Sequence, residues 1–316
     1  MKKACRTAGA LLIGMLSSHG DAQAVEGAAG FYLLGSKGSM AGYVPPPGTY
    51  VQNDHYYYAG KANANVQLPL GANLASGVEA DALYGITTML WVSPEKVASG
   101  NLALGASLVT GWKDIAATAV VGPFALSLSD DEAAFGDPVL SALLGWHSGK
   151  WHSNIYSMVN IPVGQYEQGK LANIGFNRWA VDAGASMAYL DAALGHEMSV
   201  SMGLTYNFEN PDTDYKSGTE FHVEAALVQH LSKQVSIGIV GYHYQQISGD
   251  SGAGARLGDF EGRVTALGPM ISYAFDCGKI PISTSLRYVK EFNVENRLEG
   301  EAGFLTIVMP VSVLGH

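Results

Sequence analysis

The segment "TEFHVEAALVQHL", residues 219 to 231, sets Glu220, His222 and Glu224 at every second position, with Phe221, Val223, Ala225 and Leu227 between and beyond them. A carboxylate, an imidazole and a second carboxylate could bind a metal ion or move a proton if the three groups converged. In an extended chain they do not: alternate residues stand about 6.6 to 6.8 Å apart, too far for one ion to be shared by all three. The row reads instead as the polar face of a strand. The turn "HSGKWHSN" offers His147, His152 and Ser153, the types of a serine hydrolase, but no acidic residue stands nearby to orient either histidine. "GSKGSMAG" and "GDSGAGARLG" are glycine-rich, yet neither follows a strand and opens a helix as a phosphate or dinucleotide cradle must. We therefore expect no catalytic residue, no bound metal, no cofactor and no enzymatic activity.

The elements that carry such rows are written in the same period. "NLALGASLVTGW" puts Leu102, Leu104, Ala106, Leu108 and Trp112 on one side and Asn101, Gly105 and Ser107 on the other. "NRWAVDAGASMAYL" opposes Trp179, Val181, Ala183, Ala185, Met187 and Tyr189 to Arg178, Asp182 and Ser186. "EMSVSMGLTYNF" opposes Met198, Val200, Met202, Leu204, Tyr206 and Phe208 to Glu197, Ser199, Ser201, Thr205 and Asn207. From Val78 the apolar face is Val78, Ala80, Ala82, Tyr84, Ile86, Thr88, Leu90 and Val92, with Glu79 and Asp81 opening the other. A period of two sustained this long predicts strands with one apolar and one polar face.

About 12 such strands are predicted, over 49–59, 77–92, 100–112, 137–148, 151–163, 176–190, 195–208, 219–231, 234–247, 260–275, 280–293 and 299–311. Every second connection is short ("SPEKVAS", "SGK", "DAAL", "SKQ", "DCGK"), while 60–76, 113–136, 164–175, 209–218 and 248–259 are longer and rich in Gly, Asp and Asn. Short turns alternating with long loops, and aromatic residues gathered at strand ends, are features of a transmembrane barrel with periplasmic turns and outer loops. A soluble sandwich or lipocalin-like barrel also alternates, but its strands are typically about 5 or 6 residues long. The fold class expected is all-β: a single antiparallel transmembrane β-barrel occupying residues 49–316.

Composition agrees. Only 15% of the 316 residues are charged, and the formal net charge of −10 leaves no basic stripe for nucleic acid. The start "MKKACRTAG", the apolar run "ALLIGML" and "AQA" at Ala22 to Ala24 form a signal peptide over residues 1–24, so export is expected. Its loss removes Cys5 and leaves Cys277 as the single cysteine, so no internal disulfide can form.

If apolar faces meet lipid and polar faces meet the lumen, the inward residues should include Glu79, Asp81, Arg178, Asp182, Glu197, Glu220, His222, Glu224, Glu261, Arg263, Arg287 and Glu291. Acids and arginines on neighbouring walls should then pair across the lumen.

Four long strings also carry a resemblance: "NIPVGQYEQGKLANIGFNRWAVD", "NFENPDTDYKSGTEFHVE", "QHLSKQVSIGIVGYHYQQISGDSGAGARLGDFEGRVTALGP" and "EFNVENRLEGEAGFLTIVMP". With "EGAAGFYLLGSKGSMAGYVPPPGTYVQND" they make the chain similar to the meta-pathway phenol-degradation outer-membrane proteins, also called SphA-family transporters. The resemblance implies an outer-membrane β-barrel of Gram-negative bacteria that admits small hydrophobic or aromatic solutes, in contact with outer-membrane lipid and linked to aromatic catabolism. A structural or general-porosity barrel is the alternative.

Residues 25–48 differ from everything that follows. Pro45 to Pro47 cannot donate to a ladder, yet Phe31, Tyr32, Leu33, Leu34, Met40 and Tyr43 need cover from water. We expect residues 25–44 to fold back into the lumen as a hatch, the alternative being a periplasmic segment beneath the barrel.

Overall fold

A computed structural model of the chain describes residues 30–62, 66–67, 74–75, 77–121, 124–255 and 261–313. The signal peptide expected over residues 1–24 lies outside these residues, as do the first residues of the hatch and parts of three outer connections.

The alternation seen in the sequence becomes thirteen long strands: β1 (Gly48–Ala62), β2 (Gly77–Val97), β3 (Gly100–Val121), β4 (Phe124–Phe135), β5 (Val139–Ser148), β6 (Trp151–Asn160), β7 (Ala180–Asp191), β8 (His196–Asn207), β9 (Glu220–His230), β10 (Val235–Gln246), β11 (Arg263–Cys277), β12 (Ile280–Glu295) and β13 (Glu299–Val313). Among the described residues there is no helix. Twelve strands close a ring. β1 pairs with β2 on one side and β13 on the other, and the antiparallel ladder runs from β2 through β3 and then β5 to β13. Closure is forced by the solvent, because hydrocarbon offers no partner to an unpaired N–H or C=O and a closed ladder has no edge.

The ring forks at β3. Its residues Asn101 to Ser107 pair with β5, whereas Thr110 to Val121 pair with β4, in a register that sets Asp114 opposite Asp131. The sequence predicts a loop over 113–136, so β4 is a correction. Charged and small residues dominate "FALSLSDDEAAF" because this hairpin rises above the apolar belt; beyond the lipid, backbone pairing makes a strand without an apolar face.

Short turns gather at one end, and in four of them the backbone is left-handed: Ala98 (φ 47°) with Ser99 (φ 63°), Gly149 (φ 59°), Gly195 (φ 70°) and Gly278 (φ 66°). Positive φ at two successive residues is what a two-residue hairpin needs to match the strand twist. Leu104, Leu108, Met202, Leu204, Leu227, Ile239 and Ile271 are exposed on the outside of the wall, where they meet lipid. Rings mark both borders of that belt: Trp151 against Tyr189 (4.9 Å between centroids) at the short-turn end, Tyr206 against Phe208 (5.2 Å) at the other.

The largest apolar cluster lies inside the barrel. Tyr242, Tyr244, Val264, Met270 and Phe304 of the inner wall pack against Leu33 and Leu34, which belong to the segment before β1. That segment ends in Pro45 to Pro47 and enters the wall at Gly48.

Candidate functional site: a strapped lumen

On β7, β8 and β9 the period of two sends Asp182, Glu197, Glu220, His222 and Glu224 inward, and their burial records it: each is at most 2% exposed. Burial of that many charges demands partners. The partner is the N-terminal segment, which runs down the inside of the barrel as a strap. Gly30 lies beside Glu220 at the outer end, where an added Cβ would stand 2.6 Å from Oε2. Glu224 then accepts two backbone hydrogens, from Gly35 N (3.0 Å) and Lys37 N (2.9 Å). Glu197 accepts from Met40 N (2.6 Å) and Ser39 Oγ (2.8 Å), and also from Ser199 and His230. Across the lumen Arg287 donates through Nη1 to the carbonyls of Gly35 (2.7 Å) and Ser36 (3.0 Å) and through Nη2 to Thr306.

The strap's base is held as firmly. Asn154 Nδ2 donates to Ala41 O (2.9 Å) and His147 Nε2 to Val44 O (3.0 Å), while His147 and His152 share a hydrogen between their Nδ1 atoms at 2.8 Å. The pair whose types suggested a hydrolase thus anchors the strap. Tyr43 covers it, tilted against His147 and edge-on to His152.

Midway, Tyr32 lies flat on His222 with centroids 3.5 Å apart and 14° between planes. The imidazole is fixed from behind by Asp182, whose Oδ2 accepts from His222 Nε2 (2.8 Å) and Thr205 Oγ1 (2.7 Å). Gly203 makes room for this stack: a Cβ there would come within 2.8 Å of the His222 ring and 2.7 Å of Tyr156 Oη. The row Glu220, His222, Glu224 therefore reaches three different partners, namely Asn207, Asp182 with Tyr32, and the strap amides. Among the described residues no three His, Cys, Asp or Glu side chains converge as metal ligands.

The other sequence-predicted inward residues divide. Arg178, just before β7, is buried and donates from Nε to Asn207 (3.3 Å); Glu291 accepts from Tyr58 (2.9 Å), Tyr242 (2.8 Å) and Gly300 N (2.8 Å). Four expectations are overturned. Glu79 and Asp81 are exposed on the outward parity of β2, with Tyr57 Oη donating to Asp81 (3.0 Å). The even face of β2 expected on lipid, Val78, Ala80, Ala82, Tyr84, Ile86, Thr88 and Leu90, faces inward, and Val78 and Ala80 pack with Ile115, Leu171 and Leu298. The rule fails there because β2 is apolar on both faces within the belt, with Leu83, Met89 and Trp91 exposed outside and the even face filling the lumen, while at the outer end, above the hydrocarbon, the outside carries Glu79 and Asp81. Glu261 precedes β11 and is exposed, and Arg263 turns away from the lumen to an ion pair with Glu295 at 2.8 Å. The expected pairing of acids with arginines across the lumen is likewise replaced, since the strap's backbone stands between Glu224 and Arg287.

The strap lies along one side of the lumen. Beside it a cavity of about 1070 Å³ extends from Leu171 and Leu298 at the outer end to Val235, Pro281 and Pro310 at the inner end. One flank is apolar, formed by Ala80, Ala82, Tyr84, Ile86, Leu90 and Val109; the other carries Gln52, Asp54, Ser285, Arg287 and Thr306. Sequence reasoning missed Gln52 and Asp54, although "YVQNDHYYY" places them in alternation with Tyr56 and Tyr58. It also passed over Lys37, the single charge between residues 30 and 47.

Residues 61–307 match the family model described as "Putative MetA-pathway of phenol degradation". No curated protein sequence matches the chain. Among solved structures, the COG4313 outer membrane channel from Pseudomonas putida F1 superposes with a TM-score of 0.65 at 16% identity, over 85% of this chain and 97% of that one. The transport unit of the autotransporter AIDA-I from Escherichia coli is more distant, with a TM-score of 0.43 at 8% identity over 84% and 90%. The OccK10 channel of Pseudomonas aeruginosa gives 0.32 at 11% over 83% and 98%. At such identities the first of these likenesses speaks to the fold alone.

Proposed function

Because the chain belongs to the family described by the MetA pathway of phenol degradation, we propose that this outer-membrane barrel passively admits small hydrophobic or aromatic, phenol-like compounds. The observation that carries this reading is the cavity beside the strap, with its apolar flank of Ala82, Tyr84, Ile86 and Leu90. A water-filled pore for sugars and ions is lined by polar groups all round; here half of the circumference would leave a sugar's hydroxyls without partners, at a cost per unpaired group of about 1 to 3 kcal/mol. An aromatic ring loses nothing on that flank and meets Tyr56 and Tyr84, whose own centroids lie 6.3 Å apart, within the range of favourable ring contacts. The strap supports the same reading, because it occupies the polar side of the lumen and leaves the apolar side open.

The test is uptake of labelled phenol and of a labelled sugar by porin-depleted Gram-negative cells with and without this chain. Faster entry of phenol with little change for the sugar is expected. Equal acceleration of both would support the general-porosity alternative and overturn this one.

A further inference from the structure

The chain is acidic overall, with a formal net charge of −10, yet the residues that border the cavity carry more cations than carboxylates. Five cations line the cavity, Lys37, Lys113, Lys233, Arg287 and Arg297, against three carboxylates, Asp54, Asp137 and Glu291. The carboxylates are engaged. Asp54 accepts from Gln52 and Thr306, Asp137 from Asn160, Gly164 N and Phe176 N, and Glu291 from Tyr58, Tyr242 and Gly300 N. Two of the cations donate to the protein: Lys113 Nζ to Asn173 O (2.6 Å), and Arg287 to Gly35 O, Ser36 O and Thr306. Arg297 lies over the Tyr244 ring at 4.2 Å, its buried Nη1 without a hydrogen-bond partner. Lys233 sits in the turn at the inner mouth.

Lys37 is different. Its backbone N–H is pinned to Glu224, which fixes where the side chain starts, and its Nζ lies 4.8 Å over the Tyr156 ring with no ion pair among the described residues. Both oxygens of Glu224, the nearest carboxylate on its own side, are taken by the amides of Gly35 and Lys37. The ammonium has a ring face as its direct contact, with Glu224, Asp182 and Asp54 acting on it through space, and it borders a cavity with an apolar flank.

We propose that Lys37 is a specificity-determining residue of the channel and that the preferred solute is a monoanionic aromatic carboxylate, its carboxylate passing Lys37 while its ring follows the apolar flank. The inference rests on the aromatic-uptake reading and narrows its solute class. A single ammonium on the strap suits a single negative charge. A neutral phenol would gain the ring contact and leave the ammonium unmatched.

The experiment compares uptake of labelled benzoate and labelled benzyl alcohol, probes of similar size that differ in charge, by porin-depleted cells carrying the full chain. Cells with the unaltered chain take up benzoate faster relative to benzyl alcohol than cells lacking it. Lys37→Met and Lys37→Gln lower the benzoate to benzyl alcohol ratio about tenfold, the scale of one partly desolvated charge contact, whereas Lys37→Arg keeps it. Heat-modifiable barrel is measured in each variant, so that folding and selectivity are read separately. An unchanged ratio in both neutral variants overturns the role of Lys37. A fall in uptake of both probes alike also overturns it, showing Lys37 to be structural. If neither probe enters faster than in cells lacking the chain, while the sugar does, the aromatic-uptake reading itself fails and takes this inference with it.

Discussion

Gly42 sits where a side chain has no room. A Cβ there would stand 2.4 Å from His152 O and 2.6 Å from Ala188 N, both atoms of the wall's own backbone, which cannot step aside without breaking the ladder between β6 and β7. Overpacking of this kind costs about 1 to 3 kcal/mol, comparable to the hydrogen bonds from Asn154 and His147 that hold the strap's base. Gly42→Val is expected to unseat the strap while the barrel still assembles. Planar-bilayer conductance should rise severalfold with heat-modifiability intact, and unchanged conductance would place the strap's hold elsewhere. Asp250 offers a second test, in the outer loops. It is 2% exposed and accepts from Tyr215, Gly218 N (2.8 Å) and Gln246 (2.6 Å), yet burial prevails over these donors and pushes its carboxyl up to about 6. A folded value above the unfolded one means that the folded loops bind the proton more tightly. Their stability therefore rises as pH falls from about 6 towards the unfolded value, and the full cost of burying the charge applies above about 6. Loops 208–219 and 247–255 should resist proteolysis better at pH 5 than at pH 7.5, and Asp250→Asn should remove most of that difference. Protection that is the same at both pH values in the unaltered chain would contradict the assignment.

At the scale of the strand, inside and outside are separated by one residue, so adjacent positions answer to different solvents. Leu108 on β3 is 64% exposed to the lipid side, while Ser107 beside it lines the cavity. Leu108→Arg should lower barrel stability by about 2 to 4 kcal/mol, the cost of an arginine near the bilayer midplane. Glu224→Gln on β9 should leave the folded fraction near that of the unaltered chain, because the wall's ladder is untouched: the amide oxygen still accepts from one strap N–H, and only the other loses its acceptor. Urea titration of refolding into vesicles measures both, and equal losses would refute the assignment of faces. β2 shows how the rule changes along a strand: Leu83 and Met89 keep the outward parity in the belt, and the same parity carries Asp81 and Glu79 once β2 passes above it.

At the scale of the molecule, two sources of order meet. The wall is held by its closed ladder, and the strap by side chains reaching inward from it. The wall should therefore outlast the strap. Deleting residues 30–44 is expected to leave a heat-modifiable barrel, since every ladder partner from Gly48 onward remains, and to raise ion conductance by opening a cross-section that the strap now shares. The direction follows because a barrel wider than eight strands encloses more space than its own side chains fill. Failure of the deletion to assemble would show that Glu197, Glu220 and Glu224, stripped of their strap partners, cost the wall more than its pairing supplies.

What the sequence determines by itself is whatever depends on neighbours along the chain. Alternation gave twelve of the thirteen strands, the alternation of short and long connections gave their directions, and the triple proline with the apolar run before it marked 25–48 as unlike a strand. On β7, β8 and β9 parity also named the inward residues, because those strands cross the lipid over most of their length and the outward face is apolar throughout. Only the tertiary structure decides what depends on height in the membrane and on partners far away in the chain. It turned Glu79 and Asp81 outward, moved Arg263 to Glu295, and paired β4 with an outer half of β3 that needs no apolar face. It also set Gly35 and Lys37 against Glu224, residues nearly 190 positions apart, which no local pattern encodes. A strand's period is fixed by its own backbone, but the solvent on each face is fixed by how far the strand rises and by what fills the barrel.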